Sequence, residues 1–206
     1  MTSPQSKTQT YLFDLYGVLL KLDAPGQLER VFKAVGEQGK EAKLQEVYEE
    51  LRPDLDAGRV NEINYWNQIQ LRAQLEFLDP QEAISADYQG LEEADPAMVE
   101  FVLELKNAGH RIGILSNIPH GLAEIVKHHN AAWLDQLDAM ILSCDIGAAK
   151  PEPAAFHAAL AALNVPAAEI MFIDDRLVNV EAAREEGLQA VVFTSIEQLK
   201  KDLNHE

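Results

Sequence analysis

Three short apolar runs in this chain end on side chains that can do chemistry. Tyr11-Leu12-Phe13 ends on Asp14, Gly113-Ile114-Leu115 on Ser116 and Asn117, and Ile170-Met171-Phe172-Ile173 on the pair Asp174-Asp175. Three carboxylates brought to one place repel one another by about 4 kcal/mol per pair at ~4 Å and an effective dielectric of ~20. Something positive must then sit among them. A hard divalent cation with oxygen ligands meets that demand, and Mg2+ suits a site with few carboxylates that keeps positions for water and phosphate. Ser116 offers a hydroxyl donor, and amides opening the following helix could face an anion. Helix capping is a second reading of Ser116-Asn117, and one member of the Asp174-Asp175 pair could do the same work for the next helix.

These residues act together only if the chain places the ends of its apolar runs side by side. The runs expected as strands are Tyr11–Leu20, Arg111–Ser116, Ala139–Ser143, Glu169–Asp174 and Gln189–Thr194. Helical patterns lie between the later ones: Pro96–Ala108, with Asp95 before it and Gly109 after it, His120–Asn130, Pro153–Leu163, and Val178–Glu186 closed by Gly187. Strands alternating with helices predict parallel βαβ units, and in such a sheet ligands bind outside the carboxyl ends of the strands. That rule selects Asp14, Ser116 and Asp174-Asp175.

From about Asp23 to Leu91 no strand pattern is found. Leu28, Val31, Phe32 and Val35 share one helix face, as do Leu44, Val47, Tyr48 and Leu51, and Ile63, Trp66, Ile69 and Leu71 suggest a third helix. The expected organisation is an α/β core of residues 1–22 and 92–206, with an all-helical cap at 23–91 over the crevice. The acidic stretch Glu41–Glu50 reads as a solvated face.

Composition narrows the function classes. The 206 residues include 17 Lys and Arg against 34 Asp and Glu, a formal charge of −17, which repels polyanions and anionic membranes. Nucleic acid and membrane are therefore not expected as partners; a small anionic substrate requires a local reversal of the field. The single Cys144 cannot form an intramolecular disulfide, and the polar opening Met1–Thr10 lacks the apolar centre of a signal peptide, so a cytoplasmic location is expected. His128, His129 and His157 show no metal-ligand spacing, Cys144 reads as a buried small residue, and Trp66 and Trp133 as packing residues.

Four features in order, Phe-Asp14-Leu-Tyr16-Gly-Val, Ile-Leu-Ser116-Asn117, Ala-Ala-Lys150-Pro-Glu-Pro and Phe-Ile-Asp174-Asp175-Arg, resemble the haloacid dehalogenase-like hydrolase superfamily across nearly the whole chain, including the place of a helical cap. The resemblance implies a Rossmann-like core in which Asp14 is the nucleophile, forming an aspartyl ester that water hydrolyses. It implies Mg2+ held by Asp14, the backbone carbonyl of Tyr16 and Asp175, with Asp174 direct or through water. Ser116, Asn117 and Lys150 would hold the substrate's phosphoryl group, and Lys150 would also hold the nucleophile.

The chain departs from the family's phosphatases at Tyr16, where they carry an aspartate as general acid. Tyr16 resembles the 2-haloacid dehalogenase branch, in which halide leaves without a proton, whereas the pair Asp174-Asp175 resembles the metal-binding phosphatases. Asn179 stands where many phosphatases have another aspartate, and Asp23 is a candidate substitute acid or an exposed turn residue. The expected activity is Mg2+-dependent hydrolysis of small phosphomonoesters. The alternatives are hydrolysis of a halogenated organic acid, or a phosphate-binding regulatory protein with weak turnover.

Overall fold

In the computed structural model, which describes residues 8–35 and 39–203, five parallel strands form one sheet. The strands are β1 (Thr10–Phe13), β2 (Arg111–Ser116), β3 (Ala139–Leu142), β4 (Ile170–Asp174) and β5 (Gln189–Val192), in the order β3-β2-β1-β4-β5. The chain fills one side of β1, then crosses to the other with β4, which creates a topological switch point beside β1. Register aligns Phe13 with Ile114 and Ile173, Ser116 with Leu142, and Asp174 with Val192, so the chemically capable residues leave the sheet along one edge. The first expected strand is shorter than its apolar run. It stops at Phe13, because Gly17 (φ 80°) turns the chain and Leu15 to Leu20 close a compact loop. The remaining strands agree with their expected spans to within two residues.

Both faces of the sheet are covered, as an all-parallel sheet requires. Tyr11, Phe13, Ile112 and Ile114 face α5 (Pro96–Asn107) and α6 (His120–Leu134), which contribute Phe101, Val102, Leu122, Val126 and Trp133. Leu12, Leu115 and Phe172 face α8 (Pro153–Leu163) and α9 (Leu177–Glu185), where Phe156 meets Phe172 edge-on at 5.7 Å. Asp95 caps α5 by accepting from Ala97 and Met98, with Pro96 in the first turn. A single turn, α7 (Ser143–Ile146), follows β3, and α10 (Ile196–Asp202) closes the described chain.

Between β1 and α5 lie four helices, α1 (Ala24–Val35), α2 (Glu41–Asp56), α3 (Glu62–Arg72) and α4 (Pro80–Tyr88), with a separate apolar cluster around Val31, Val47, Tyr65, Trp66 and Ile69. Ile63 and Leu71, expected on the buried face of α3, are exposed, because that face follows Tyr65, Trp66 and Ile69. The segments entering and leaving this bundle run side by side: Lys21 donates to the Glu93 carbonyl, and Asp95 to that of Leu19. Among the described residues, the following contacts help seat the bundle on the sheet domain. The Ser143 hydroxyl donates to the Asp56 carbonyl, Arg59 pairs with Glu152 at 2.6 Å, and Glu62 accepts from Gly121 at the start of α6 at 2.7 Å. No described helix is long and apolar enough to cross a membrane. Residues 1–7 of the expected core and of its polar opening, and 204–206, lie outside the described residues.

Candidate active site

Asp14 is the first residue beyond β1, held by its amide donating to Ile173 on the neighbouring strand at 2.8 Å. Across the switch point stand Asp174 and Asp175, and carboxylate oxygens of all three lie within 4.8 Å of one another. Lys150 reaches between them. Its ammonium is 2.7 Å from Asp14 Oδ1 and 2.7 Å from Asp174 Oδ2, with its side chain 1% exposed. Burial pushes the Asp14 carboxyl up to about 7, with Lys150 pulling it down and Asp174 pushing it up. Burial, followed by Asp174, also raises Asp175.

The three acids differ in what they have left to offer. Asp174 is saturated: Oδ1 accepts from the Arg176 amide at 2.8 Å and from Asn179 at 3.0 Å, and Oδ2 from Lys150 and Asn179. Asn179 is thus an anchor for Asp174. Asp175 has no side-chain donor among the described residues, and Lys150 is the only one on Asp14. The Tyr16 carbonyl likewise accepts no hydrogen bond among the described residues. The Asp14 and Asp175 carboxylates, which converge with Asp174, and the Tyr16 carbonyl are oxygens of the hard type with accepting capacity left, a donor set that fits Mg2+. Gly17 makes this approach possible, because a Cβ there would lie 2.4 Å from Asp175 Oδ2.

Ser116 is fully buried at the end of β2, and its hydroxyl has no partner among the described residues. Asn117, expected at the phosphoryl group, binds the backbone of Lys150. Its side chain accepts from the Lys150 amide and donates to the Lys150 carbonyl, both at 2.8 Å, so it fixes the lysine's backbone. Tyr16 lines the crevice with its phenolic oxygen buried and unpartnered among the described residues; burial, opposed by Arg52, raises its pKa and keeps it neutral. Asp23 is exposed and accepts from Gly26 in the first turn of α1, so it acts as a turn residue.

A cavity of about 250 Å³ opens over these groups, lined by Asp14, Tyr16, Lys150 and Asp175 from the sheet side and by Tyr48, Arg52 and Asp56 from α2. The α2 residues escaped sequence reasoning. Arg52 Nε pairs with Asp56 at 2.7 Å, while Nη1 reaches the Tyr48 hydroxyl at 2.6 Å and Asp87 at 3.2 Å. Asp87 is fully buried and also accepts from Gln27 at 2.6 Å and Tyr48 at 2.7 Å. Nη2 of Arg52 makes no hydrogen bond among the described residues. The signal was present: Arg52 and Asp56 continue the i, i+4 stripe of Leu44 and Tyr48, so charges stand where apolar residues belong.

Residues 8–187 match the haloacid dehalogenase-like hydrolase family. The chain belongs to this family and is a hydrolase of it. A phosphatase of Mycobacterium tuberculosis is 34% identical over 113 residues, 53% of this chain and 50% of its own length. Drimenol cyclase of Aspergillus calidoustus is 25% identical over 197 residues, 94% of this chain but 35% of its own length, so the chain spans between a third and a half of these curated relatives. Among solved structures, a HAD family enzyme of Bacteroides thetaiotaomicron in complex with magnesium and inorganic phosphate superposes with a TM-score of 0.78 at 21% identity, covering 93% of this chain and 98% of that one. The L-2-haloacid dehalogenase of Xanthobacter autotrophicus gives 0.64 at 21% identity, covering 96% and 82%.

Proposed function

We propose that this hydrolase cleaves small phosphomonoesters with Mg2+, residues 23–91 forming a cap over a core of residues 1–22 and 92–206. The observation that carries this reading is the convergence of the Asp14 and Asp175 carboxylates, one with a single side-chain donor and the other with none among the described residues, beside an Asp174 already saturated by protein donors. Bound there, Mg2+ would supply charge neutralisation for the phosphoryl oxygens and keep Asp14 ionised. A carboxylate oxygen of Asp14 attacks phosphorus as the ester P–O bond breaks, and the leaving group departs as phenolate or alkoxide and takes its proton from solvent; water then attacks the aspartyl-phosphate, releasing inorganic phosphate and restoring the Asp14 carboxylate. Lys150 orients Asp14 and offsets charge on the bound group, and the buried Ser116 hydroxyl donates to a phosphoryl oxygen. The magnesium and phosphate bound by the Bacteroides enzyme and the phosphatase among the relatives support this reading.

Tyr16 sets the substrate range. No carboxyl stands at its position to protonate a departing alkoxide, and general acid catalysis is worth about 10²–10⁴ in rate. Aryl phosphates, whose leaving groups need no proton, should turn over faster than alkyl phosphates. The same residue favours a second reading, dehalogenation of a small 2-haloacid, in which halide departs without a proton. One experiment separates the two. p-Nitrophenyl phosphate hydrolysis that requires Mg2+ and stops with EDTA supports the phosphatase; halide release from 2-chloropropionate by the chelated protein, without phosphatase activity, supports the dehalogenase.

A further inference from the structure

A second group of ligand-type side chains lies on the seam between bundle and sheet domain, apart from the three aspartates. His120 opens α6, Cys144 and Asp145 lie in α7, and donor atoms of the three fall within 4.8 Å of one another. His120 Nδ1 and Cys144 Sγ each lie 3.8 Å from the same atom, Asp145 Oδ1. A tetrahedral ion with bonds of about 2.0–2.3 Å to nitrogen, oxygen and sulfur separates its ligand atoms by about 3.3–3.6 Å. The two spacings to Asp145 Oδ1 need to close by only a few tenths of an ångström, and the third pair lies within 4.8 Å. His120 and Asp145 have side chains 57% and 50% exposed and are free to make that adjustment.

We infer that His120, Cys144 and Asp145 form a site for a thiophilic divalent cation such as Zn2+, with a fourth position for water. The donor set is selective: sulfur and imidazole nitrogen favour zinc-like ions, whereas the oxygen-only cluster at Asp14 and Asp175 favours Mg2+. Lys127 stands 3.8 Å from the other oxygen of Asp145, Oδ2, leaving Oδ1 turned to His120 and Cys144. The bundle loop meets the site through Gly58. A Cβ there would lie 2.6 Å from the Cys144 carbonyl and 3.0 Å from His120 Nε2, so the glycine keeps both ligands uncrowded. Because zinc-like ions bind the thiolate, binding releases the Cys144 proton.

Cys144 is the only cysteine in the chain, which gives the site its own optical signature. With the protein kept in excess Mg2+ to fill the carboxylate cluster, Co2+ titration should produce a near-ultraviolet thiolate-to-cobalt charge-transfer band saturating at one equivalent. Zn2+ should displace it. Cys144→Ser should abolish the band, and the exposed replacements His120→Ala and Asp145→Asn should each weaken binding by about tenfold or more. Absence of the band at millimolar Co2+, or a band of unchanged affinity in both exposed variants, overturns the assignment. Neither outcome bears on phosphomonoester hydrolysis.

Discussion

Lys150→Met should destabilise the protein by an amount that the site's own geometry sets. Each 2.7 Å contact to Asp14 and Asp174 is worth about 6 kcal/mol of gross attraction at an effective dielectric of ~20. Most of this offsets the desolvation of three buried charges. Removing the ammonium leaves Asp14 and Asp174 buried without their cation, and breaking such a buried pair costs about 3–5 kcal/mol. Asp14, pushed up to about 7 even with Lys150 pulling it down, rises further once the lysine is gone, so its folded value exceeds its unfolded one by more than in the parent protein. A raised folded value makes the added penalty grow as pH climbs above about 7 and fade below it. Urea unfolding of both proteins in EDTA at pH 6 and pH 8 measures it. An equal loss at the two pH values would refute the electrostatic account and leave only lost packing.

Three further outcomes follow from the crevice. Tyr16→Asp should raise turnover of alkyl phosphates by about tenfold or more with a smaller effect on aryl phosphates, measured as kcat on each; equal gains would mean that leaving-group protonation does not limit the rate. Arg52→Met leaves Asp87 buried without its cation and should cost about 3–5 kcal/mol in urea unfolding, whereas Arg52→Lys should keep the charge but not the three-way geometry and show a smaller loss. Gly17→Ala places a methyl on Asp175 and forces a positive φ on alanine. It should lower stability by about 1–2 kcal/mol and raise the Mg2+ concentration for half-maximal activity by about tenfold, read by metal titration.

The sheet end of the site was legible because parallel strands impose a simple rule. A polar residue that ends an apolar run in a βαβ chain must emerge at the carboxyl edge, and register then brings Asp14, Ser116 and Asp174 together whatever the intervening sequence. What failed was local. Tyr11–Leu20 is apolar throughout apart from Asp14 and Gly17, and periodicity could not see that Gly17 turns the chain before Val18, Leu19 and Leu20 are buried as a loop. Asn117 was expected to hold the substrate's phosphoryl group and Asn179 was read only as a departure from the usual aspartate; in the structure both spend their side-chain amides on a charged residue, Lys150 in one case and Asp174 in the other. An amide's choice between ligand and protein is set by distances of a fraction of an ångström, which no spacing rule encodes.

The bundle side shows why substrate identity hides from sequence more thoroughly than mechanism does. Near the reacting centre, charge must balance within a few ångströms, so the residue types are nearly dictated: acids for a cation, a lysine between them, a hydroxyl for an anion. Across the cavity, Arg52 is already held by Asp56, Asp87 and Tyr48, and its guanidinium is fixed before any ligand arrives. The formal charge of Arg52, Asp56 and Asp87 together is −1, which disfavours a second anionic group on the substrate at this end. Arg52 Nη2 and the Tyr16 hydroxyl are nevertheless donors without acceptors among the described residues. A neutral hydroxyl on the alcohol portion satisfies both conditions, since it accepts from a donor and gives its own proton to Asp56. Glycerol phosphate should therefore be hydrolysed with a higher kcat/KM than butyl phosphate, and Arg52→Lys should narrow that gap. A preference for the apolar ester would instead assign the cavity's recognition to Leu22, Leu91 and Leu122.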